Sequence, residues 1–88
     1  MKWIFKIDIK EEKISIDLHG MRYNQAKIAI ENHIVNCINS NYSHVRIVHG
    51  HGTGVLRNLT KKLFEESEFI DEFYLEQNFI STIGKLQY

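Results

Sequence analysis

No proline interrupts these 88 residues, and the chain has one cysteine, Cys37, and one tryptophan, Trp3. A lone cysteine rules out a disulfide framework and a cysteine-built zinc site, and it fits a reducing, cytoplasmic compartment. No apolar run approaches the roughly 20 residues of a membrane-spanning helix, and the N-terminus has no signal-peptide core, so no membrane partner is expected. Net charge is missing as well, because eleven basic and eleven acidic residues cancel to +0. Bulk charge therefore cannot hold a polyanion, although a local basic face can, since steering depends on how charge is distributed. No low-complexity or linker-like stretch divides the sequence. What remains is one domain, 43% hydrophobic and 25% charged, an ordinary composition for a globular chain that can bury a core.

Glycine is scarce, five in all, yet three of the five fall in His49-Gly50-His51-Gly52-Thr53-Gly54-Val55-Leu56-Arg57. Val45-Arg46-Ile47-Val48 precedes this stretch as a short buried strand would. Leu56, Leu59, Leu63 and Phe64 follow it at helical spacing. Upstream, Ile14, Ile16 and Leu18 alternate with Ser15, Asp17 and His19, which predicts a strand ended by Gly20. A helix is expected from about Asn24, as N-cap, to Asn39, with Ala26, Ile30, Ile34 and Cys37 or Ile38 inward and Asn39-Ser40-Asn41 as its stop. Strands are expected at about 44–48, 69–75 and 79–86, and a second helix at about 55–67. Trp3 to Lys10 also alternates, so residues 1–13 read as an extra N-terminal strand or an arm, and residues 14–88 as the domain proper. The order β-α-β-α-β-β implies an α/β two-layer sandwich with a mixed, mainly parallel sheet.

Two strand ends echo each other: Asp17-Leu18-His19-Gly20 and Ile47-Val48-His49-Gly50 both close with His-Gly before a helix. If those strands are parallel, His19 and His49 share the C-terminal sheet edge, where open α/β sheets bind ligands. Adjacent strands lie about 4.8 Å apart, so the two loops can share one phosphate-sized ligand. A tight βα turn needs fewer glycines than this one has. It is not a Walker loop, because no Lys-Ser or Lys-Thr follows, and Val55 stands where a dinucleotide fingerprint needs glycine or alanine. Glycines that admit positive φ, together with the N–H groups at a helix start, suit an anion. Asp17 and His19 suit acid–base work, or Asp17 simply caps the turn. His19, His49, His51 and Asp17 are the nearest metal candidates, but alternate residues of a glycine loop need not converge on one ion. No tightly held zinc is expected, only a weak divalent ion such as Mg near Asp17. Arg22, Lys27, Arg46, Arg57, Lys61 and Lys62 are candidate phosphate contacts or merely a solvated face. Tyr23 and Tyr42 either stack on bases or pack, and His33 reads as a structural histidine beside the first helix's apolar stripe.

Together these residues resemble the Smr, or small MutS-related, domain family. Its signatures are a Leu-Asp-x-His-Gly strand end, here Ile16-Asp17-Leu18-His19-Gly20, and the loop His49-Gly50-His51-Gly52-Thr53-Gly54-Val55-Leu56-Arg57, here complete. The resemblance covers residue 14 onward. The family often carries a Gly-x-Thr-x-Val strand, of which this chain keeps Thr82 and loses the glycines before it. The resemblance implies binding of DNA or RNA, in some members in association with ribosomes, and in many members endonuclease activity. On that basis Asp17 and His19 are expected to perform or organise proton transfer, with His49 beside them as a second proton-transfer group or phosphate contact. Gly50, His51, Gly52, Thr53, Gly54, Arg57, Lys61 and Arg22 are expected to hold phosphate. The alternatives are a module that grips DNA, RNA or a ribosome without cutting, and a small phosphate-handling hydrolase. A monomer is expected.

Overall fold

A computed structural model describes residues 14–88, so the expected N-terminal strand or arm at 1–13 lies outside the described residues. The elements run β1 (Ser15–Asp17), α1 (Tyr23–Asn39), β2 (His44–Val48), α2 (Val55–Glu66), β3 (Ile70–Leu75) and β4 (Ser81–Leu86). The sheet order is β1-β2-β4-β3. β1 pairs parallel to β2, while β4 pairs antiparallel to both β2 and β3. Three strands therefore point one way, yet only one of the three ladders is parallel, because the oppositely running β4 lies between β2 and β3.

Alternation along the strands divides the sheet into two faces. Val45 and Ile47 are fully buried and meet Ala26, Ile30, Ile34 and Cys37 of α1 and Leu59 and Phe64 of α2 in one core, so both helices cover this face. Gly84 of β4 sits beneath Phe64. A Cβ there would lie 2.9 Å from Phe64 Cε2, so the missing side chain is what lets the ring settle on the strand. Phe64 in turn meets Phe73 of β3 edge-on, with centroids 5.6 Å apart. The opposite face carries Ser15, Asp17, Arg46, Val48, Ser81 and Ile83 by register.

Boundaries shift where local bonding overrides pattern. α1 starts two residues earlier than an Asn24 cap implies: Arg22 is the N-cap, and the Gln25 side chain accepts the Arg22 N–H at 3.0 Å. It ends as expected, with Asn41 at φ 60 and the Tyr42 N–H donating to the Cys37 carbonyl at 2.9 Å. β4 begins at Ser81 and not at 79, because Phe79 takes φ 61 in a turn closed by its N–H donating to the Glu76 carbonyl. His33 is buried and donates from Nε2 to the Ile14 carbonyl at 2.7 Å, a structural role. Burial raises the Cys37 thiol to about 11, so it is protonated and inert at neutral pH.

Candidate nucleic-acid interface and catalytic edge

The parallel register brings the two His-Gly strand ends together. Asp17 stands opposite Val48, and the Leu18 N–H donates to the Val48 carbonyl at 2.9 Å. His19 and His49 therefore leave the sheet side by side at its C-terminal edge. Their surroundings differ. His19 is exposed in a turn, and its N–H donates to Asp17 Oδ1 at 2.8 Å. Asp17, on the open face, thus closes an Asx turn and keeps its second oxygen for other partners. His49 points to the helix side and is 8% exposed. Its Nδ1 lies 3.1 Å from the Gly50 carbonyl and its Nε2 2.9 Å from Thr82 Oγ1. A carbonyl only accepts, so Nδ1 carries the proton, and in the neutral ring Nε2 accepts from the Thr82 hydroxyl. Burial, helped by the nearby Arg57 charge, lowers the His49 pKa and favours the neutral ring, outweighing the Gly50 bond, which raises it.

The loop between β2 and α2 is shaped by its glycines. Gly50, Gly52 and Gly54 take φ of 76, 41 and 86, while His51 and Thr53 between them do not take positive φ. Alternating hands of this kind turn successive N–H groups into one concavity suited to an anion. No described residue lies within 4 Å of where a Cβ on Gly50 or Gly52 would stand, so the backbone there is open to approach. The Gly50 N–H is already used: with that of His49 it donates to the Ile80 carbonyl, each at 2.9 Å. Gly50 therefore supplies shape, and the open donors are those of residues 51 to 53, which are exposed and have no acceptor among the described residues. Gly54 is the N-cap of α2, so the positive end of that helix faces the same concavity. The Arg57 guanidinium folds back over Gly54, with Nη2 3.0 Å from the position a Cβ would take.

The basic residues separate into groups. Arg57 and Lys61 share a face of α2 and border a cleft against β3. Lys61 has one loose partner among the described residues, Glu65 Oε1 at 3.9 Å. Arg22 is exposed at the start of α1, while Lys27 and Lys62 border a separate groove between the helices with Tyr23, Glu31 and Glu66. Arg46 is not available to a phosphate. Its Nε donates to Glu76 Oε1 at 2.6 Å and its Nη2 to Ser81 Oγ at 3.2 Å, and Ser81 also donates to Glu76. Burial opposes ionisation of Glu76, but the Ser81 and Arg46 bonds and the Arg46 charge outweigh it and hold the carboxyl below its usual range. This ion pair pins the β3–β4 turn, whose Ile80 carbonyl anchors the start of the glycine loop. Among the described residues, no three His, Cys, Asp or Glu side chains gather as a metal-binding group, and no helix is long and apolar enough to cross a membrane.

Sequence reasoning gave no role to Thr82, Glu76 or Ser81. Thr82 could have been found from its strand, where alternation sets it on the buried face with Leu86, and a buried hydroxyl needs a partner. The Glu76–Arg46 pair, 30 positions apart, has no local signal.

Residues 16–80 match the Smr domain family. The endonuclease MutS2 of Lactococcus lactis subsp. cremoris (strain MG1363) is 36% identical over 61 residues, covering 69% of this chain and 8% of that protein. The endonuclease MutS2 of Streptococcus suis (strain 05ZYH33) is 35% identical over 74 residues, covering 83% of this chain and 10% of that protein. The chain spans about a tenth of the length of these curated relatives. The Smr domain of Thermus thermophilus MutS2 superposes with a TM-score of 0.80 at 20% identity, covering 84% of this chain and 98% of that one. YdaL, a stand-alone small MutS-related protein from Escherichia coli, does so at 0.81 and 13% identity, covering 86% and 66%. At these identities the structural likeness is one of fold.

Proposed function

Because this chain belongs to the Smr domain family, we propose that it binds DNA or RNA and cleaves phosphodiester bonds. The observation that carries the reading is the loop at 50–54, with alternating φ, open space before Gly52 and N–H groups that have no acceptor among the described residues. These groups would hold a backbone phosphate together with Arg57, and Lys61 and Arg22 would extend the contact along the strand. His51 and Thr53, exposed between the glycines, would border the same phosphate.

His19 is the residue placed to exchange a proton with the attacking or leaving oxygen, being exposed beside that loop. Asp17 is its positioning residue through the 2.8 Å bond to the His19 N–H. His49 is the anchored member: any proton its Nε2 exchanges would pass through the Thr82 hydroxyl. The second Asp17 oxygen could share a divalent ion such as Mg with the substrate phosphate. A single carboxylate fits a weakly held, largely hydrated ion and not a tight site. The protein would act as a monomer in the cytoplasm.

The Asx turn also favours a second reading, a module that grips DNA, RNA or a ribosome without cutting, with Asp17 retained for the turn alone. An assay on labelled DNA and RNA, with and without Mg and chelator, separates the two. Cleavage by the wild type that is lost in Asp17→Ala and His19→Ala supports the nuclease. Binding without cleavage under any of these conditions leaves the module.

A further inference from the structure

The cleft between α2 and β3 has a volume of about 360 Å³ and is bordered by Arg57, Asn58, Lys61, Phe73, Leu75 and Thr82. Two of these residues also belong to the site at the sheet edge. Arg57 lies over Gly54, and Thr82 is bonded to His49. The cleft therefore opens directly beside the loop assigned to phosphate. Phe73 and Leu75 give it an apolar wall, with Leu75 38% exposed. The Asn58 side chain has no hydrogen-bond partner among the described residues and offers both a donor and acceptors. Among the described residues, no acidic side chain borders the cleft. The larger groove between α1 and α2, of about 390 Å³, instead mixes Lys27 and Lys62 with Glu31 and Glu66 and selects neither sign of charge.

We propose that this cleft is a subsite for an unpaired nucleobase, the one next to the phosphate held by the loop at 50–54. The proposal rests on the reading of that loop as a phosphate site. An apolar wall and one amide at the rim suit a flat ring with polar edges, and the cations at the mouth suit the sugar–phosphate that carries it. A base inside a duplex has its edges paired and its faces stacked, so it cannot enter. The substrate class is accordingly a single strand, or a nucleotide extruded from a duplex.

The test measures binding of the wild type, Leu75→Ala and Asn58→Ala to three probes by fluorescence anisotropy. The probes are a short oligothymidylate or oligouridylate, a fully abasic strand of the same length and sugar, and a blunt duplex. The wild type is expected to prefer the strand with bases over the abasic strand and the duplex by on the order of tenfold. Each variant should lose several-fold on the strand with bases and nothing on the abasic strand. Both side chains are partly or fully exposed, so the variants are expected to fold, and circular dichroism checks this. Equal wild-type affinity for the based and abasic strands overturns the subsite but keeps the phosphate loop. So does a base preference unchanged in both variants, or tightest binding to duplex. Failure of the wild type to bind any probe overturns the nucleic-acid reading itself.

Discussion

Asp17-Leu18-His19-Gly20 and Ile47-Val48-His49-Gly50 end adjacent parallel strands with the same dipeptide, and the two histidines finish in opposite states. His19 lies exposed in the turn after the three-residue β1, the edge strand among the described residues, with its main chain bonded to Asp17. His49 follows an interior strand, so β4 covers it and supplies Thr82 to one ring nitrogen, while Gly50 takes the other. The same dipeptide leaves one histidine exposed at the edge of the described sheet and makes the other a fixed strut inside it. What separates them is the neighbouring strand and not the motif.

The largest expected effect breaks the comparison on the catalytic side. His19→Ala and Asp17→Ala should each lower cleavage by about 10²–10⁴-fold while the fold persists, as steady-state rates and circular dichroism would show. Wild-type rates in either folded variant would remove the assignment. Stability should show the reverse asymmetry. His49→Ala strands the buried Thr82 hydroxyl and should cost about 1–3 kcal/mol in urea denaturation, whereas His19→Ala, at a surface site, should fall within about 0.5 kcal/mol of wild type. Equal losses would mean that the 2.9 Å His49–Thr82 bond contributes little.

One glycine from each of the two turns sharpens the contrast. Gly20 and Gly52 have φ of 77 and 41, and neither has a described neighbour within 4 Å of an added Cβ. Gly20→Val and Gly52→Val should each strain the backbone by about 1–2 kcal/mol. Only Gly52→Val should also weaken binding of an oligonucleotide, because its side chain would stand before the open N–H groups. Smallest is the pH effect. The folded pKa of His49 is lowered, so an unfolded chain takes up the proton first as pH falls. Stability should hold steady above the ordinary histidine pKa of about 6.5 and decline below it. His49→Ala should lose this part of the acid sensitivity, and His19→Ala should keep it.

Much of this arrangement is legible in the residues. Period-two alternation at 14–18 and the apolar run at 45–48 locate β1 and β2, and helical spacing locates both helices. Glycine at 50, 52 and 54 announces a loop of unusual backbone hand, since that requirement is local and only glycine meets it cheaply. What residues cannot show alone is which hydrogen-bonding groups a distant segment will take. Arg46 reads as a free cation until Glu76 arrives across the sheet, and Gly50 reads as a donor until Ile80 accepts its N–H. His49 likewise reads as the twin of His19 until Thr82 is placed on the buried face of β4. Each miss concerns β4 or the turn before it, where pairing at long sequence separation fixes the outcome.

The central place of β4 also bears on how the molecule folds. β1, α1, β2, α2 and β3 can all be synthesised before the strand that joins them exists, and β2 and β3 have no ladder with each other. Docking β4 closes loops of 33 to 41 residues to β2, from Val48↔Ser81 to His44↔Lys85, an entropic cost met before any pairing reward. The same event brings Ile80 to the N–H groups of His49 and Gly50 and Thr82 to the His49 ring. The glycine loop should therefore acquire its final shape in the step that completes the sheet, and a chain stalled before that step would carry both signature motifs without a formed site.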